Sequence, residues 1–79
     1  MHTMYTIKFF GVEADGIQVG PELVSCRADN DSDVITQANK LKETNTFGFG
    51  RVDRVLPARS FKIYDNSRLV YDSADDSEP

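Results

Sequence analysis

Only one stretch of this chain carries a helical repeat. Val34, Ile35, Ala38 and Leu41 recur at i, i+1, i+4 and i+7, which is one face of a helix, while Thr36, Gln37, Asn39, Lys40 and Lys42 point away. The other patterned stretches alternate in the manner of strands and are bounded by turn residues. One helix has one apolar face and can cover one sheet. The expected fold class is therefore α+β: an antiparallel sheet of four to five strands with one helix packed on one face, in the order β-β-α-(β)-β-β. The second sheet face would be exposed or would bury itself against another molecule.

Size keeps this to one core. A chain of 79 residues should bury about 60% of the surface its unfolded form exposes. We expect residues 1–72 to form a single domain and residues 73–79, in which Ala74 is the only apolar side chain, to be a disordered acidic tail. The mean hydropathy of −0.44 and the lack of a long apolar run argue against a membrane span. Cys26 is the sole cysteine, so no internal disulfide can form. Met1–Phe10 lacks the pattern of a secretory signal. The expected location is the cytoplasm.

Met4–Phe10 reads as a strand with Tyr5, Ile7 and Phe9 on one face and Thr6, Lys8 and Phe10 on the other. Asp15-Gly16 favours a tight turn. A second strand returns, bent or bulged at Gly20-Pro21, with Leu23 and Ser25 on one face and Val24 and Cys26 on the other. Asp31 or Ser32 should cap the helix, which should stop near Asn45. Residues 51–57 fit a short strand or an irregular crossing segment. Phe61–Tyr64 and Arg68–Tyr71 form a hairpin around Asp65-Asn66-Ser67, with Leu69 and Tyr71 on one face and Arg68 and Val70 on the other. The expected core is Ile7, Phe9, Leu23, Ile35, Ala38, Leu41, Phe61, Ile63 and Leu69. The layout as a whole looks like that of many short bacterial and phage proteins, a likeness of element order that carries no functional residue with it.

The motifs that could carry chemistry mostly fail on inspection. Asp29, Asp31 and Asp33 match the first ligand positions of a calcium loop, but Val34 stands where a glycine is needed and Lys40 where a bidentate glutamate is needed. Helix capping explains the run, and no metal is expected. Phe47-Gly48-Phe49-Gly50 superficially resembles the aromatic core of an RNA-binding strand, without its basic residue and without a second helix. The competing reading is that both rings anchor a glycine-rich loop on the core. The only histidine, His2, sits near a terminus, and Cys26 has no histidine beside it in sequence. No enzyme activity and no cofactor are expected.

The charge is segregated along the chain. Residues 1–39 hold six acids and two bases (−4), residues 40–71 seven bases and three acids (+4), and residues 72–79 four acids (−4). Two functions follow. The first is a small non-enzymatic protein-binding module, a phage-type stoichiometric inhibitor or adaptor. It would act by surface occupation, or by nucleic-acid mimicry through Asp29, Asp31 and Asp33. The alternative is a single-stranded nucleic-acid-binding module using the basic, aromatic segment 40–71, with Phe47, Phe49, Arg51, Arg54 and Arg59 in contact. The net charge of −4 favours the protein partner. Tyr64 joins the candidate contact residues because it should lie on the uncovered sheet face with Thr6, Lys8, Phe10, Val24, Cys26, Lys62 and Val70. Phe10, Val24, Tyr64 and Val70 could there form a patch that joins two copies in a homodimer, or that docks a target while the free protein stays monomeric.

Overall fold

A computed structural model describes residues 3–73. Strands β1 (Thr3–Val12) and β2 (Gln18–Ala28) form a long hairpin, followed by helix α1 (Asp31–Thr44). Two very short strands, β3 (Thr46–Phe47) and β4 (Leu56–Pro57), pair with each other, and the hairpin β5 (Ser60–Asp65) and β6 (Arg68–Asp72) completes the chain. The main sheet is antiparallel throughout, in the order β2-β1-β5-β6. The expected α+β arrangement is the one found: four strands and one helix on one face; residues 51–57, left open between a strand and an irregular crossing, contribute the short β4, which pairs with β3 just after the helix.

The helix begins one residue earlier than expected. Asn30 is its N-cap, accepting a hydrogen bond from the Asp33 backbone N–H at 2.8 Å. Asp31 and Asp33 thereby fall in the first turn, where acids suit the positive end of the helix. Asn45 is the C-cap, as the pattern indicated. Val34 and Ala38 are fully buried, and Ile35 and Leu41 pack partly against the same cluster.

Inward residues of β1 are Tyr5, Ile7 and Phe9, all buried, as the alternation required. In β2 the expected faces are exchanged. Phe9 pairs with Glu22 and Gly11 with Val19, so Gly20 and Pro21 together oppose Phe10 alone. This extra residue is a β-bulge, and it reverses the alternation beyond it. Without it Leu23 would sit opposite Ile7; with it Val24 does, and Cys26 faces Tyr5. Leu23 therefore turns outward and is 59% exposed, while Cys26 and Ala28 are buried. A second irregularity does the same in β6. Tyr64 pairs with Leu69 but Ile63 with Tyr71, leaving Val70 as the extra residue. Val70 and Tyr71 pack against the core, and Leu69 faces out at 47% exposure. Leu23 and Leu69 thus leave the expected core, and Val24, Cys26 and Val70 leave the expected open face.

The helix rests on β1, β2 and β5, and the glycine-rich segment covers the remainder of the inner face. The Phe47 ring stacks on Phe9 with centroids 4.7 Å apart, Phe49 lies 5.8 Å from Phe47, and Phe61 lies 5.9 Å from Phe9. A Cβ on Gly11 would stand 2.8 Å from the Phe49 ring, so this position admits the loop because it lacks a side chain. The Glu22 carboxylate accepts the Phe49 N–H at 3.1 Å, tying the loop to β2.

The bulge-set register makes a direct prediction. Val24→Ala should lower the unfolding free energy by about 1–3 kcal/mol, and Leu23→Ala by less than about 0.5 kcal/mol. Urea denaturation monitored by circular dichroism measures both; the opposite ranking would mean that β2 presents its other face to the core.

Candidate interaction surface

The outer face of the sheet is built from the residues that alternate with the core. Across it run four registered rows: Arg27 beside Met4; then Ser25, Thr6, Tyr64 and Leu69; then Leu23, Lys8, Lys62 and Asp72; and last Phe10 beside Ser60. Neither the helix nor the glycine-rich segment reaches this side. Met4 is 53% exposed, and Leu23 and Leu69 lie at the two lateral edges. At the centre the Lys8 ammonium sits 4.7 Å from the Tyr64 ring centroid and the Lys62 ammonium 5.9 Å from that of Phe10. Lys62 is also 3.8 Å from the Asp72 carboxylate. The alternation of β1 and β5 placed Thr6, Lys8, Phe10, Lys62 and Tyr64 here. It missed Met4, and it missed Leu23 and Leu69 because each lies beyond a bulge. The patch expected to join two copies loses Val24 and Val70 to the interior, which leaves Phe10 and Tyr64 under their lysines.

The other candidate contact residues are placed elsewhere. Phe49 is buried and Phe47 half-buried in the aromatic cluster, so their rings face the core and not a base. Arg51 is exposed and paired with Asp53 at 3.2 Å, an arrangement that holds the Asp53 carboxyl below its ordinary range. Arg54 is half-buried: it donates to the Gly48 carbonyl and to Glu13, both at 3.3 Å, while its buried Nε has no partner. Arg59 is exposed, and its backbone N–H donates to the Phe10 carbonyl at 2.7 Å. The basic segment is thus dispersed over the loop, the β1–β2 end and the sheet, and does not form one stripe.

The acidic run is engaged in local structure. Asp33 accepts the Asp29 N–H at 3.2 Å and lies 3.4 Å from Gln37 Nε2. Asp31 accepts the Tyr5 hydroxyl at 2.8 Å and stands 3.5 Å from Arg68, which also pairs with Asp65 at 3.2 Å. The Tyr5 hydrogen bond, with help from Arg68, holds the Asp31 carboxyl below its usual range, and the same bond raises the Tyr5 hydroxyl. Among the described residues no three metal-ligating side chains gather at one point.

Cys26 is buried, and its thiol donates to Gln37 Oε1 at 3.0 Å. Burial, and then Asp33, push its pKa up, which keeps it a thiol and a poor nucleophile. Gln37, expected to point away from the sheet, instead also donates to the Arg27 carbonyl at 3.1 Å and stitches the helix to β2. His2 and the expected tail beyond Ser73 lie outside the described residues. Ser73 itself belongs to the folded body, since its hydroxyl accepts the Phe61 N–H at 2.8 Å.

No family model, curated protein or solved structure matches this chain.

The Tyr5–Asp31–Arg68 network predicts a pH dependence. A carboxyl whose pKa is depressed in the folded state stabilises it above the unfolded value and loses that contribution as pH falls through the folded one. The melting temperature should therefore drop as pH falls below about 4. Asp31→Asn should lower the melting temperature at neutral pH and flatten the acid slope. An unchanged slope in calorimetry would mean that Asp31 is not coupled to Tyr5 and Arg68.

Proposed function

We propose that this chain is a small protein-binding module without catalytic activity, an adaptor or stoichiometric inhibitor that occupies a partner's surface with the open face of its sheet. The observation that carries this reading is the outward placement of Met4, Leu23 and Leu69 on a face that no element covers among the described residues. These three side chains are spread across the face, from one edge strand to the other, among aromatic and charged neighbours, a mixture of groups that interfaces use. The fold supports such a role mechanically, because three strands of different sequence position present these side chains from a backbone fixed by cross-strand hydrogen bonds. A partner would then meet a surface that does not need to be ordered on binding.

Two related readings have less support. Nucleic-acid mimicry would need Asp29, Asp31 and Asp33 to stand as a free phosphate-like row, whereas Asp31 and Asp33 are bound to Tyr5, Arg68 and Gln37. Binding of single strands through segment 40–71 would need the Phe47 and Phe49 rings, which pack on Phe9 and on each other. A single cysteine, which allows no internal disulfide, fits a reducing compartment, and the cytoplasm is the proposed location.

Site-specific photocrosslinking in the source cell tests the reading. A benzophenone side chain at Leu23 or Leu69 should yield discrete protein adducts, and the same group at Asn39 on the exposed side of the helix should not. Equal adducts from all three positions, or none from the sheet, would remove the open face as the binding surface.

A further inference from the structure

We infer that the partner presents an acidic segment with apolar flanks, received by Lys8 and Lys62 at the centre of the open face. This rests on the reading of that face as a protein-binding surface and names the chemistry that fits it. Lys8 and Lys62 are direct cross-strand neighbours on the two central strands. Such residues stand about 5 Å apart at the backbone, and like charges in that position repel. The two side chains diverge along the strands, Lys8 toward Tyr64 and Lys62 toward Phe10. Their ammonium groups therefore point to opposite sides of the row they share, and that of Lys62 also lies 3.8 Å from the Asp72 carboxylate. Arg27 adds a third cation to the face, and Asp72 is the acid that the described strands place there, three positive against one negative. The face therefore carries a charge opposite in sign to the chain's net −4. Charge complementarity thus selects an anionic partner and argues against a second copy, which would set one lysine pair against another.

The apolar side chains choose between the anionic classes. Leu23 continues the lysine row at one edge, Leu69 closes the neighbouring row at the other, and both offer aliphatic surface where a phosphodiester backbone has none. Each aromatic ring here has an ammonium group near it, 4.7 Å from the Tyr64 centroid and 5.9 Å from that of Phe10, which competes with a base for the ring face. An extended protein segment with carboxylates between aliphatic side chains satisfies both features at once.

Fluorescence anisotropy tests this with three labelled probes: a dodecapeptide alternating glutamate with leucine, its lysine–leucine counterpart, and an oligothymidylate of the same length. The acidic peptide should bind, and its affinity should fall about tenfold as salt rises from about 0.05 to about 0.3 M, because exposed charges are screened over that range. The double variant Lys8→Gln/Lys62→Gln should weaken it at least about tenfold, which is about 1.4 kcal/mol. The variant Lys40→Gln/Lys42→Gln, which changes the net charge equally on the helix, should leave it unchanged, and Lys8→Arg/Lys62→Arg should retain it. Circular dichroism checks that each variant is folded, and the salt response of the unaltered chain does not depend on any variant. Three results would overturn the inference: an acidic peptide that does not bind or binds independently of salt, equal weakening by the two glutamine pairs, or an oligothymidylate that binds as tightly as the peptide. A failure here with adducts still formed from Leu23 leaves the protein-binding surface intact and removes only its acidic partner.

Discussion

Phe9 is where the two covers of the sheet meet. Its ring is wholly buried, stacked on Phe47 from the glycine-rich segment and tilted against Phe61 from the neighbouring strand. A single helix is too narrow to protect four strands, and the aromatic segment takes over where it stops. That division explains the other unusual positions. Gly11 has no side chain because the Phe49 ring needs the space, and Glu22 turns inward because it holds the loop by its backbone. Both covers lie on the same side, so among the described residues the opposite face receives none.

Much of this was legible in the residues. The alternation of Tyr5, Ile7 and Phe9 against Thr6, Lys8 and Phe10 has a large excess of apolar surface on one side, and it specified its face correctly. The same holds for Phe61 and Ile63, and for the helical stripe from Val34 to Leu41. Where one face did not outweigh the other, the reading failed. Leu23 and Ser25 against Val24 and Cys26 differ little in burial preference, so the parity of that strand is decided by the bulge at Gly20-Pro21 and not by composition. Leu69 against Val70 is the same case. The position of a bend can be read from glycine and proline, but whether it adds a residue to one strand depends on the partner strand's register, which is a long-range property.

The candidate site was legible only in part for that reason. Lys8, Phe10, Lys62 and Tyr64 follow from local alternation, whereas Leu23 and Leu69 reach the surface through pairing. The charge blocks along the chain also change meaning on folding. The acidic run becomes helix cap and a partner for Tyr5 and Arg68, and the basic segment divides between loop, hairpin end and sheet. Charge that is segregated in sequence is redistributed in space, and the small positive face at the sheet centre draws one lysine from the acidic half and one from the basic half.

The bulge in β2 has a consequence for how this surface can change over time. Side-chain chemistry on a sheet face is normally altered one substitution at a time. Here the loss of the bulge at Gly20 would exchange the two faces of the strand beyond it, carrying Leu23, Ser25 and Arg27 inward and Val24 and Cys26 outward. The exchange would set Ser25 opposite Tyr5, bring the Arg27 guanidinium to the inner face opposite Thr3, and remove the thiol that Gln37 holds. Length variation at this point is therefore not the harmless kind that loops usually accept. A lineage could lengthen or shorten the turn around Asp15-Gly16 freely, yet at Gly20-Pro21 it must keep the count of residues to keep either side of the molecule.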